Sequence, residues 1–498
     1  MAAMQECFYP KGSTGANLWW KKRKRSKPMR TVFLFIFLFF AFSDCISGAV
    51  VSAASSEYSG KRMHFYHHAD PITQASETGF LLQFDNKGNA TTNVAVKSTT
   101  CFYCDFGIYR GSVFIEPGKN IKINLPPLRE KSFADQKNPY FEPVYFWFTV
   151  AEEENLNNLI SSFNNQINQL TNKYFNQLYI RNSKAAFDSI AGQINRYFPD
   201  KNIEAFEVYK ALSLKLLEAD ALRLKTEQYA SVIGDIPLAQ WQNPAFESIF
   251  EKAFENRLSF ATHKVDGNEL KKAVNNSDLS FVKSYVAEKF HLKGDFVQLV
   301  TLKLLYDGYY SGNFSKSAIE KMMQLAVTSE MNNAAITNTA KNILTKFLFL
   351  KKGTEAPEVC LKSFKNNELC TAGNHGKYKY IVFADVDMAV CREQLKYLSA
   401  IDKKFGKYLE IYVIFRNADM SDIKTFVVDK QVPGTILIDS SGDAAHIYKI
   451  RSFPAAFLLN ENHFVQIEAA KTPLNGFEQQ FGLFLRNELF QRQRNQSR

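Results

Sequence analysis

Seven cysteines in 498 residues are too few for a chain held together by disulfides. With 23 glycines and 15 prolines, collagen-like and low-complexity architectures are excluded. The unbroken apolar run Val32–Phe42 covers about 16 Å at 1.5 Å per residue, against a hydrocarbon core of about 30 Å. A mean hydropathy of -0.25 excludes a multi-span membrane protein. Neither a phosphate-binding glycine loop nor a Ser-His-Asp arrangement is present. What remains is 46% hydrophobic and 22% charged, an ordinary globular composition with room for about three domains.

The net charge of +11 invites a nucleic-acid reading, but its location removes that support. Residues 1–53 carry Lys11, Lys21, Lys22, Arg23, Lys24, Arg25, Lys27 and Arg30 against Glu6 and Asp44. Without that net of +6 the rest of the chain keeps only +5, and no nucleic-acid partner is expected. The basic stretch before the apolar run reads as an export signal, for which Met29 would be a start of ordinary length. Val51-Ser52-Ala53 offers small residues for cleavage after Ala53. Lipidation of Cys45 is the rival, although Phe42-Ser43-Asp44 precedes it poorly. Contact with a membrane is expected only through the signal or such an anchor.

Three textures follow. From Glu57 to Val150 short strands alternate with turns, as at Phe80–Phe84, Ser112–Ile115 and Ile121–Leu125, which predicts a β-sandwich. From Glu152 to Leu350 the period becomes helical. Leu156, Leu159, Ile160, Phe163, Ile167, Leu170, Tyr174 and Leu178 form one stripe, and an all-α domain is expected over 152–350. Beyond the linker Lys351–Pro357 strands and helices alternate. Tyr378–Ala384, a helix over Met388–Phe405, Tyr408–Phe415, a helix over Met420–Asp429, Ala455–Leu459, His463–Glu468 and a closing helix predict an α/β domain over 351–498.

This third region resembles the thioredoxin fold of exported TlpA-like and AhpC/TSA-type proteins, as found in multidomain members from Bacteroides-type bacteria. Gly353-Thr354-Glu355-Ala356-Pro357-Glu358-Val359 is similar to their G-x-x-A-P-x-[FV] opening. Gly376-Lys377-Tyr378 leads into the central strand as in that family. Tyr448–Asn460 looks like Y-x-V-x-x-x-P-T-x-F-L-I-D, which implies that Pro454 is the cis-proline facing the site. Where the family has W-C-x-x-C-R, this chain has Asp387-Met388-Ala389-Val390-Cys391-Arg392, a degenerate CxxC.

Thiol–disulfide exchange needs an acidic thiolate at the helix N-terminus and a resolving thiol one turn on. Met388 stands in the attacking position, and a thioether forms no thiolate. Cys391 in the resolving position is expected to be inert. Cys101-Phe102-Tyr103-Cys104 is a true C-x-x-C, but an extended strand puts its ends about 10 Å apart, so a bridge there requires a turn. Zinc would need two further ligands, and no metal or cofactor is expected. Cys360 and Cys370 lie on two arms of an expected hairpin and could bridge. His64, His67 and His68 read as a surface cluster on an edge strand.

The favoured reading is an exported envelope protein without redox activity, binding a peptide or protein partner in a groove formed by Asp387, Met388, Phe453 and Pro454. Two rivals remain. One is an atypical thiol–disulfide oxidoreductase using Cys391 or the Cys101/Cys104 pair. The other is a structural envelope protein that binds through its β-sandwich.

Overall fold

A computed structural model describes residues 48–496, apart from 264–266, 329–332, 364–365, 374 and 417–418. The basic segment, the apolar run and Cys45 lie outside the described residues. No helix among the described residues is long and apolar enough to cross a membrane.

The alternating segments near the start form a two-sheet sandwich. Its strands are β1 (Gly48–Ala54), β2 (Arg62–His68), β3 (Ser76–Gln83), β4 (Asn89–Ala95), β5 (Thr100–Phe106), β6 (Tyr109–Ile115), β7 (Asn120–Ile123) and β8 (Val144–Trp147). One sheet runs β4-β1-β7 and the other β3-β2-β5-β6-β8. Ala49, Val51 and Ala53 alternate inward from β1 and meet Phe65, Leu82, Phe102 and Val113 in the core.

Two expectations are corrected here. The sandwich begins at Gly48, not Glu57, and β1 is the middle strand of its sheet, antiparallel to β4 and parallel to β7. Cleavage after Ala53 would remove six of its seven residues, expose the core and leave two strands without a partner. The histidine strand β2 is no edge either, because β3 and β5 flank it. His68 instead points at the helical domain, where Nδ1 lies 2.8 Å from Oε2 of the buried Glu247.

Between β7 and β8 the chain leaves the sandwich as a long strap carrying one short helix, α1 (Phe133–Lys137), capped by Ser132. The central domain is all helical. It comprises α2 (Leu156–Lys173), α3 (Lys184–Tyr197), α4 (Glu204–Ala221), α5 (Ala230–Gly234), α6 (Pro244–Phe254) and α7 (Arg257–Thr262). It continues with α8 (Asn268–Asn275), α9 (Leu279–Phe290), α10 (Gly294–Tyr310), α11 (Lys316–Thr328) and α12 (Ala334–Leu348). Leu156, Ile160, Phe163 and Leu170 turn the α2 stripe inward. The outer face of the larger sheet packs on this core through Cys101, Phe114 and Trp147. The buried Asn157 side chain accepts from Phe114 N at 2.7 Å and donates to its carbonyl at 2.9 Å, satisfying sheet backbone that no strand covers.

The last domain contains β9 (Cys360–Ser363), β10 (Glu368–Cys370), β11 (Tyr378–Ala384), α13 (Ala389–Lys396), α14 (Leu398–Phe405), β12 (Leu409–Arg416) and α15 (Met420–Asp429). Then come β13 (Thr435–Asp439), α16 (Asp443–Ile447), β14 (Ala455–Leu459), β15 (Val465–Ile467) and α17 (Phe477–Gln496). Its sheet runs β10-β9-β13-β12-β11-β14-β15, with β11, β12 and β13 parallel. Every residue of β11 is buried, as a central strand covered on both faces requires. Sequence reasoning passed over β13, whose five residues are too short for periodicity to speak, and took α13 and α14 as one helix.

Candidate functional site

The site grows from the carboxyl end of β11. After Ala384 the chain turns through Asp385-Val386-Asp387, and Met388 becomes the N-cap of α13. No side-chain oxygen is available at that cap, because a thioether accepts hydrogen bonds weakly. Met388 is half-buried and Asp387 exposed. One turn on, Cys391 is fully buried against Leu395 and the underside of the sheet. Burial pushes its thiol up to about 11, and the carboxylate of Asp385 adds to this. A backbone hydrogen bond from Asp385 and the cations Lys137 and Arg392 act the other way without offsetting it.

Asp385 is itself fully buried and carries the electrostatics of the site. Its Oδ1 accepts from Asp387 N at 3.0 Å, while Oδ2 accepts from Lys137 Nζ at 2.6 Å. Lys137 also donates to Asp387 Oδ2 at 2.9 Å. This lysine arrives from α1 of the strap, so a residue of the N-terminal domain sits over the start of α13. Arg416, at the end of β12, fastens the strap a second time by donating from Nη2 to Gln136 O at 3.0 Å. Its guanidinium lies 5.5 Å from the ring centre of Phe453. The Phe453–Pro454 peptide is cis, and Pro454 leads into β14 beside β11.

Met388 and Phe453 thus face one cavity of about 380 Å³, with Gln136 to Pro139 of the strap among its walls. Asp387 opens instead onto a neighbouring cleft with Phe133 and Arg392. Pro454 adjoins the first cavity through Phe453 without lining it.

Residues 352–467 match the AhpC/TSA family. The match lies within the C-terminal domain, whose fold is thioredoxin-like. Among solved structures, similarity extends to the thioredoxin domain of a thiol-disulfide oxidoreductase from Bacteroides vulgatus, at 18% identity over 27% of this chain and 97% of that one, with a TM-score of 0.25. A thiol:disulfide interchange protein from Bacteroides sp. matches at 22% identity over 23% and 78% of the two chains, TM-score 0.22. A thiol-disulfide oxidoreductase from Bacteroides fragilis matches at 18% identity over 23% and 88%, TM-score 0.22. No curated protein matches the chain.

The other cysteines are placed away from the thioredoxin-like site. Cys360 and Cys370 face each other in register across β9 and β10 and are joined as a disulfide. Their sulfurs lie close to Glu358, but a bridged pair supplies no thiolate to a metal. Cys101 and Cys104 are free. Because β5 runs extended through both, Cys101 packs on the helical core and Cys104 in the sandwich core. The bridge entertained for them from sequence is therefore ruled out by the pleat. Burial raises both thiols, with Glu247 adding at Cys101 and Asp105 at Cys104. A redox role for that pair is overturned on the same ground.

Lys137, Arg416 and Arg451 are the site residues that sequence reasoning missed. Lys137 stands in the polar strap, where nothing local ties it to a carboxylate 248 residues away.

Proposed function

We propose that this protein is an exported, non-catalytic member of the thioredoxin-fold thiol–disulfide oxidoreductase family, binding at the groove formed by Met388, Phe453 and the turn into Pro454. One observation carries the reading: the position that should hold the attacking thiolate is a thioether, and the remaining Cys391 is buried with its thiol raised to about 11. At pH 8 such a thiol is ionised about once in a thousand molecules. Export is supported by the basic stretch and apolar run before the first strand. The place of β1 supports processing upstream of Gly48, either as a soluble chain or with lipid on Cys45.

Alkylation of the native protein followed by mass spectrometry tests the reading. Cys391 should resist iodoacetamide at pH 8 and react progressively faster toward pH 11, while Cys360 and Cys370 stay bridged. Rapid labelling of Cys391 at pH 7, or its recovery as a mixed disulfide, would favour the atypical oxidoreductase instead. Linkage adds a second readout. A thiol raised in the folded chain ionises first in the unfolded one, so its contribution to stability is full below about pH 8.5 and is lost as the pH climbs toward 11.

A further inference from the structure

The cavity between strap and groove has an unbalanced wall. Lys137, Arg416 and Arg451 line it, and no aspartate or glutamate does. Lys137 is already held by Asp385 and Asp387, and Arg416 approaches Asp385 no closer than 3.8 Å. Arg451 is exposed and makes no ion pair among the described residues. The surplus extends behind it. Lys346 is held below its ordinary range chiefly by burial, with Arg451 adding and Asp70 opposing, and Lys449 is lowered by burial and by Lys346. Met388, Ile450 and Phe453 add apolar wall to the same cavity, with the Arg416 guanidinium 5.5 Å from the Phe453 ring centre.

The strap also limits the size of what can enter. Gln136 to Pro139 occupy the approach to Met388, fastened through Lys137 and Arg416, and the space left is about 380 Å³. That is the small end of ligand pockets and too little for a folded partner.

We propose that this cavity binds a small organic anion, its carboxylates on Arg451 and Arg416 and its apolar part against Met388 and Phe453. The assignment rests on the reading of the Met388–Phe453 groove as a binding site, and it replaces the expected protein partner with a carboxylate ligand. Cations fixed on a partly enclosed wall attract such a group more strongly than freely solvated ones would.

Titration calorimetry on the full chain with N-acetyl-phenylalanyl-aspartate, its uncharged diamide and inorganic phosphate tests this, with methyl NMR of methionine-labelled protein placing the site. The dianion should bind once per chain and shift the Met388 methyl resonance, identified by its loss in Met388→Leu. The diamide and phosphate should bind at least about tenfold more weakly, and added salt should weaken the dianion. Arg451→Glu should weaken it about tenfold, whereas Arg451→Lys should retain most of the affinity. Equal binding of diamide or phosphate, or a Met388 methyl that does not move, would overturn the assigned ligand. Catalytic turnover in a disulfide-reduction assay would instead sink the binding-site reading beneath it, so the two failures are distinguishable.

Discussion

At the N-cap of α13 the side chain of Met388 occupies a half-buried position where the helix dipole favours an anion, and it has none to offer. Met388→Cys would place a thiol there with Cys391 one turn on. The introduced thiol should titrate about three pH units below Cys391 and so carry about a thousandfold more thiolate at pH 7. Competition between the two cysteines for iodoacetamide measures this directly. Asp387 disfavours the new thiolate, but Lys137 sits on that carboxylate at 2.9 Å and blunts its effect. The substituted chain should therefore gain measurable insulin reduction, held low by the strap over the groove. A new thiol no more reactive than Cys391 would mean that the helix start does not do the work assigned to it.

The strap helix α1 and the strand β1 are the elements on which the architecture turns. Lys137→Ala strips the fully buried Asp385 of its nearest cation, with only Arg416 at 3.8 Å to compensate. Urea unfolding should show a loss of about 2–3 kcal/mol, and Asp385→Asn in the same chain should recover part of it. Burial acts to lower the Lys137 ammonium, but the two aspartates outweigh it and leave it above its usual range. The contribution of this pair should accordingly be unchanged on the alkaline side up to about pH 10.5 and be lost only above it. For β1 the test is truncation. A chain starting at Gly48 should melt cooperatively, whereas one starting at Ala54 lacks Ala49, Val51 and Ala53 from the sandwich core and should lose its near-ultraviolet circular dichroism. N-terminal sequencing of the processed protein should correspondingly find a start before Gly48.

Across the whole molecule, what was legible in the sequence follows the range of the interactions involved. The α2 stripe announces its helix because Leu156, Ile160 and Phe163 recur within a few residues of one another. The AhpC/TSA-type domain was legible because motifs with fixed spacing surround its central strand. The hairpin that aligns Cys360 with Cys370 is equally local. Long-range contacts left no such trace. His68 meets Glu247 across a domain boundary, and Lys137 meets Asp385 only after the whole helical domain has intervened in the chain. Small residues near the signal pointed to cleavage at Ala53, since nothing in Val51-Ser52-Ala53 reveals that the same residues pair with both β4 and β7. The strap over the groove thus left no trace in the local sequence. Whether the groove binds or exchanges disulfides is decided by insulin reduction with the intact processed protein and its Cys391→Ser variant. Both should stay at the background of dithiothreitol alone. Turnover like that of a working oxidoreductase, abolished by Cys391→Ser, would contradict it.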